Sequence, residues 1–136
     1  FDLGETYIIG GDWESTLYWF NRLLELEPNN VHALTDVGTA NLNLGRYDKA
    51  RALWKRVLEI DPNDVQAHYN MGFVYANTEP RDLAGAVSEW ETVVRLDPAS
   101  QLGETAKVHV DGLKAKLTAS PAALSATAAP PPTAAP

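Results

Sequence analysis

Glycine and proline recur at a nearly constant interval along this chain, and that interval constrains the fold more than any single residue does. Gly4, Gly38 and Gly72 are 34 residues apart (38 − 4 and 72 − 38), and Pro28, Pro62 and Pro98 follow at spacings of 34 and 36. Around each proline the sequence repeats itself: Leu26-Glu27-Pro28-Asn29-Asn30, Ile60-Asp61-Pro62-Asn63-Asp64, Leu96-Asp97-Pro98-Ala99-Ser100. A period of this length marks stacked copies of one supersecondary unit, each too small to bury its own apolar face.

The copy from Val31 to Asp64 shows what the unit is. Leu34, Val37, Gly38, Asn41 and Leu42 recur at helical steps, and Ala50, Leu53, Trp54, Val57 and Leu58 do so again. Between them Leu44-Gly45-Arg46-Tyr47-Asp48 reads as a short turn, with Gly45 suited to the left-handed residue that ends a helix. Pro62 closes the second helix, because the residue before a proline is pushed out of the α region. Each copy is therefore expected to be two helices and a tight turn, and the chain an all-α solenoid.

At this point the pattern resembles the tetratricopeptide repeat, whose 34-residue signature has a large residue at position 4, Leu-Gly at 7 and 8, an aromatic at 11, Ala at 20, an aromatic at 24 and Pro at 32. The second copy carries Leu34, Val37-Gly38, Ala50, Trp54 and Pro62, but places Asn41 where the aromatic belongs. The third carries His68, Met71-Gly72, Tyr75, Ala86, Trp90 and Pro98. Its turn, Thr78 to Asp82, is longer by two residues, which accounts for the wider proline spacing. The first copy enters late: Leu3-Gly4, Tyr7, Phe20 and Pro28 match, Thr16 replaces the alanine, and Phe1 falls at position 5. The resemblance implies a first, N-terminally incomplete repeat over 1–30, a second over 31–64 and a third over 65–100 with the insertion in its turn.

The small residues are expected to be mechanical. Gly38 and Ala50 are placed where the two helices of one repeat cross, since a larger side chain would force the axes apart. Trp54 and Trp90 are expected to fill the space between one repeat and the next, with Trp13 and Trp19 on or near the second helix of the first.

Beyond Pro98, residues 101–118 read as one amphipathic helix, with Leu102, Ala106, Val110, Leu113 and Leu117 on one side and Lys107, Lys114 and Lys116 on the other. It is expected to cover the open end of the repeats. Residues 119–136 form an Ala/Pro-rich low-complexity tail: from Ser120 onward it has seven alanines, five prolines and no charge. Such a segment cannot bury enough surface to offset its ordering entropy. A linker and a tether ordered only within an assembly both remain open.

Composition narrows the functional classes. A net charge of −7, with eleven Lys and Arg scattered along the chain, argues against nucleic acid, which requires a basic face. Arg51, Lys55 and Arg56 are the nearest thing to a cluster and read as a solvated helix face. There are no cysteines, so disulfides and thiolate metal sites are excluded. No apolar run approaches the ~20 residues that span a bilayer. Phe1 begins partway through a repeat helix, which carries the expectation of further polypeptide upstream, and the compartment stays open between cytoplasm and cell envelope.

No catalytic constellation emerges. His32, His68 and His109 are isolated, and neither a metalloprotease His-Glu-x-x-His nor a nucleophile elbow is present. The expectation is therefore a chain without catalysis, cofactor or metal.

The resemblance then implies where function lies, because tetratricopeptide repeats bind partners in a concave groove lined by positions 2, 5, 6, 9, 12 and 13 of each first helix. These positions hold Phe1, Asp2, Glu5, Ile8 and Ile9 in the first repeat. In the second they hold His32, Thr35, Asp36, Thr39, Leu42 and Asn43. In the third they hold Gln66, Tyr69, Asn70, Phe73, Ala76 and Asn77. Asn43 and Asn77 could hydrogen-bond an extended peptide, since an amide both donates and accepts. Tyr69 and Phe73 offer an aromatic contact. Co-chaperones that clamp an acidic C-terminus need Lys and Arg at the positions held by Phe1, Glu5, Asp36, Gln66 and Asn70, none of which is basic. Three classes remain: an interaction scaffold that holds a peptide or subunit in the groove, a structural or accessory subunit of a larger assembly, membrane-associated or not, that uses the convex face and the C-terminal tail, and the interaction domain of a longer enzyme or regulator whose active part lies upstream.

Overall fold

The computed structural model describes residues 12–119. The groove positions Phe1, Asp2, Glu5, Ile8 and Ile9, the Leu3-Gly4 pair, Tyr7 and the tail 120–136 lie outside the described residues. Among those described there are six helices and no strand: α1 Trp13–Leu26, α2 Val31–Asn43, α3 Tyr47–Ile60, α4 Val65–Asn77, α5 Leu83–Leu96 and α6 Gln101–Ala119. No helix among them is long and apolar enough to cross a membrane.

The repeated text around each proline has a physical cause at both ends. The helix before it ends at Glu27, Asp61 or Asp97, each donating its backbone N–H to a carbonyl four residues back. Two residues beyond the proline, a short polar side chain then starts the next helix. Asn30 Oδ1 accepts from Ala33 N at 3.0 Å, Asp64 Oδ1 from Ala67 N at 2.9 Å, and Ser100 Oγ from Gly103 N at 3.0 Å. Each therefore satisfies one of the four donors that a helix N-terminus leaves open.

Residues up to Met71 form one compact unit and those from Gly72 another, the division falling within α4. In the first unit α2 packs against both α1 and α3. Leu17, Phe20, Ala33, Val37 and Ala40 make a buried cluster, with Trp13, Leu24 and Leu53 against it. Thr16, at the position the family fills with alanine, is fully buried; its hydroxyl donates to Asp12 O at 3.0 Å within its own helix turn, so the extra polar group is satisfied. α2 ends in a Schellman motif: Arg46 N donates to Asn41 O and Gly45 N to Leu42 O, with Gly45 at φ +77°.

In the second unit α6 packs against α5. Ala86, Val87, Trp90 and Val93 are buried on α5, and Ala106, Val110 and Leu117 on α6. Lys114 Nζ reaches Glu91 at 2.7 Å across the same pair of helices. The longer turn before α5 holds a cis Glu79–Pro80 bond, and Asp82 N donates back to Tyr75 O at 2.9 Å.

The glycines and tryptophans act together, in a way the repeat pattern alone does not show. A Cβ on Gly38 would lie 2.5 Å from Trp54 Nε1, and one on Gly72 would lie 2.5 Å from Trp90 Nε1. Each tryptophan is thus seated on the glycine of its own repeat, and the glycine is small to admit an indole, where helix crossing alone had been the expected reason. Trp90 in addition lies against the His109 ring of α6, centroids 4.6 Å apart.

Candidate functional site

The first helix of each described repeat has a polar stripe, and the stripe follows from which positions the core takes. On α2 the core claims Ala33, Leu34, Val37, Gly38, Ala40 and Asn41. His32, Thr35, Asp36, Thr39, Leu42 and Asn43 keep partial or full exposure at steps of three and four. On α4 the buried positions are Ala67, Met71, Gly72 and Val74, which leaves Gln66, Tyr69, Asn70, Phe73, Ala76 and Asn77.

Within each helix these side chains are organised in pairs one turn apart. His32 Nε2 lies 3.1 Å from Asp36 Oδ2. The His32 ring also stands edge-on to Phe20 of α1, 6.0 Å between centroids. Gln66 Nε2 donates to Asn70 Oδ1 at 3.0 Å. Asn43 Nδ2 donates to Thr39 O and Asn77 Nδ2 to Phe73 O, at 2.9 and 2.8 Å. Each of these two asparagines therefore spends one N–H on its own helix, and its second N–H and its Oδ1 remain for a partner.

Apolar contact comes from Tyr69 and Phe73. Phe73 is 40% exposed, a large value for a ring on a helix whose other apolar residues are mostly covered. Burial pushes the Tyr69 hydroxyl above its ordinary pKa, so it stays neutral. Neither α2 nor α4 carries a lysine or arginine: all eleven lie elsewhere, and the acidic group on these two stripes is Asp36. Among the described residues no group of three or more His, Asp or Glu is arranged to hold a metal ion.

Residues 38–78 match a family model described as TPR repeat, and residues 19–52 match one described as Tetratricopeptide repeat. The chain carries tetratricopeptide repeats. No curated protein sequence matches it. Solved structures of tetratricopeptide fold are similar over most of its length. One is PcrH in complex with the chaperone-binding region of PopD, with TM-score 0.76 and 20% identity over 85% of this chain and 88% of that one. Another is the type III secretion chaperone SycD of Yersinia enterocolitica with a peptide of the translocator YopD, at TM-score 0.77 and 17% identity, covering 85% and 89%. A third is the first repeat domain of Spaghetti (RPAP3) bound to the HSP90 peptide SRMEEVD, at 0.75 and 16%, covering 86% and 89%. At these identities the likeness establishes the fold, the all-α architecture of tetratricopeptide solenoids.

Proposed function

We propose that this chain is a non-catalytic scaffold that binds an extended protein segment along the exposed stripes of α2 and α4. The similar structures give the general support, since those repeat proteins hold peptides of a partner. The observation that carries the reading is the charge pattern. With no Lys or Arg on either stripe, and with Asp36, Gln66 and Asn70 where an acidic-tail clamp would need cations, the surface disfavours an acidic segment such as SRMEEVD. It favours one that carries apolar residues for Tyr69 and Phe73, a basic residue near Asp36, and backbone N–H groups for the Oδ1 atoms of Asn43 and Asn77.

Calorimetry tests this with two peptides of equal length, one alternating lysine and leucine and one ending in SRMEEVD. Binding of the first alone, weakening as salt rises, is the expected result. Phe73→Ala with Asn77→Ala should weaken it at least about tenfold. Tighter binding of the acidic peptide, or unchanged affinity in the double variant, would move the interaction to another face and favour the reading as an assembly subunit.

A further inference from the structure

Asn41 is where the second repeat departs from the family pattern, and the structure is open there. A cavity of about 410 Å³ lies within the first unit among α1, α2 and α3. Its floor is formed by buried or half-buried groups, Leu17, Val37, Asn41 and Leu53, and its rim by the exposed Asn21, Arg46 and Lys49. In the third repeat the equivalent position holds Tyr75, an aromatic ring. The cavity is open to solvent on its rim side, and it presents an apolar floor with a few polar groups around it.

The polar groups state what they can accept. Arg46 is paired with Glu14 at 2.9 Å, whereas Lys49 makes no ion pair or hydrogen bond among the described residues. The rim thus carries one uncompensated positive charge in a chain whose net charge is −7. On the floor Asn41 is only 4% exposed; its Nδ2 donates to Val37 O at 2.8 Å, which leaves Oδ1 as an acceptor without a donor. That oxygen can accept a hydrogen bond from a ligand hydroxyl. Asn21 at the rim can donate and accept.

We propose that this cavity binds a small aryl monocarboxylate. The ring takes the place of the aromatic side chain this repeat lacks, against Leu17, Val37 and Leu53. Its carboxylate meets Lys49, with the Arg46 guanidinium beside it. A ring hydroxyl donates to Asn41 Oδ1. One net positive charge matches one carboxylate, which sets the site apart from those built for phosphates. It uses none of the residues of the peptide-binding stripes, so it stands or falls separately from them.

Two-dimensional amide NMR of the full chain, titrated with para-hydroxybenzoate and in parallel with para-hydroxybenzyl alcohol, is the test. The expected result is saturable shifts at the Asn21 and Asn41 side-chain amides and the Lys49 backbone amide with the carboxylate, and affinity at least about tenfold lower for the alcohol. Lys49→Glu, on an exposed side chain that the fold does not need, should lower carboxylate affinity by a similar factor. Asn41→Tyr should fill the cavity, keep a folded spectrum and remove the shifts. Equal affinity for the two compounds overturns the proposal. So do shifts that survive in Asn41→Tyr, and the absence of saturation up to about 10 mM.

Discussion

The second and third repeats are two versions of one template, and they solve the same packing problem with different amounts of slack. Both seat a tryptophan on a glycine so closely that a Cβ there would lie 2.5 Å from the indole Nε1. Trp54, in the second, is fully enclosed, and its buried Nε1 has no hydrogen-bond partner. Trp90, in the third, lies against His109. The second repeat has Asn41 and a cavity where the third has Tyr75. Their turns differ as well. The second uses Gly45 and enters α3 through Arg46, which gives no side-chain cap; the third takes two more residues and caps α5 with Asp82, whose Oδ1 accepts from Gly85 N at 2.7 Å. The comparison teaches that a repeat signature secures the tryptophan–glycine contact, while the aromatic position and the second helix's cap are free to vary towards function.

The largest expected effect strikes what the two repeats share. Trp54→Ala and Trp90→Ala should each cost about 3–5 kcal/mol, a large part of a small domain's stability. The sharper form is Trp→Phe: at 54 it removes a buried N–H that has no acceptor, at 90 it loses area against His109. Trp54→Phe should therefore cost less than Trp90→Phe in paired urea melts; the reverse order would show that the Trp54 N–H is satisfied in solution.

Next come the glycines. Alanine at 38 or 72 gains about 1 kcal/mol of helix propensity but overpacks a buried indole by about 1–3 kcal/mol. Because Trp54 cannot swing away from a fully enclosed site, Gly38→Ala should lower the melting temperature, and Gly72→Ala should do so by a comparable amount. A rise in either variant would break the shared tryptophan–glycine seat.

A smaller effect separates the repeats. Asn41→Tyr, which makes the second repeat resemble the third, should stabilise by about 0.5–2 kcal/mol through cavity filling. Tyr75→Asn should destabilise. If Asn41→Tyr lost stability, the cavity would be too shallow to take a ring.

The smallest difference concerns the caps. Asp82→Ala should cost about 1 kcal/mol, the usual worth of an N-cap. Arg46→Ala removes only an exposed ion pair with Glu14, worth about 0.2–1 kcal/mol, and no cap. Equal losses in thermal melts would mean that Arg46 does more at the start of α3 than its contacts show.

Sequence by itself determined the helix pairs, the repeat family and the left-handed Gly45, because period, proline and glycine act through local backbone rules that need no distant partner. It also exposed Asn41 as a departure from the pattern. Only the tertiary structure decided what that departure does, since the cavity depends on Leu17, Val37 and Leu53 arriving from three helices at once. The same holds for the stripes on α2 and α4. Residue type suggested that Asn43 and Asn77 could both donate and accept; the folded backbone engages one N–H of each Nδ2 with the carbonyl four residues back, and the second N–H and Oδ1 stay outside that bond. The pairing of Trp54 with Gly38 was likewise invisible in the letters, which are 16 positions apart (54 − 38) and meet only when the two helices of the repeat close on each other. Local rules are written in the order of residues; who fills whose space is settled by packing, where atoms distant in sequence compete for the same volume.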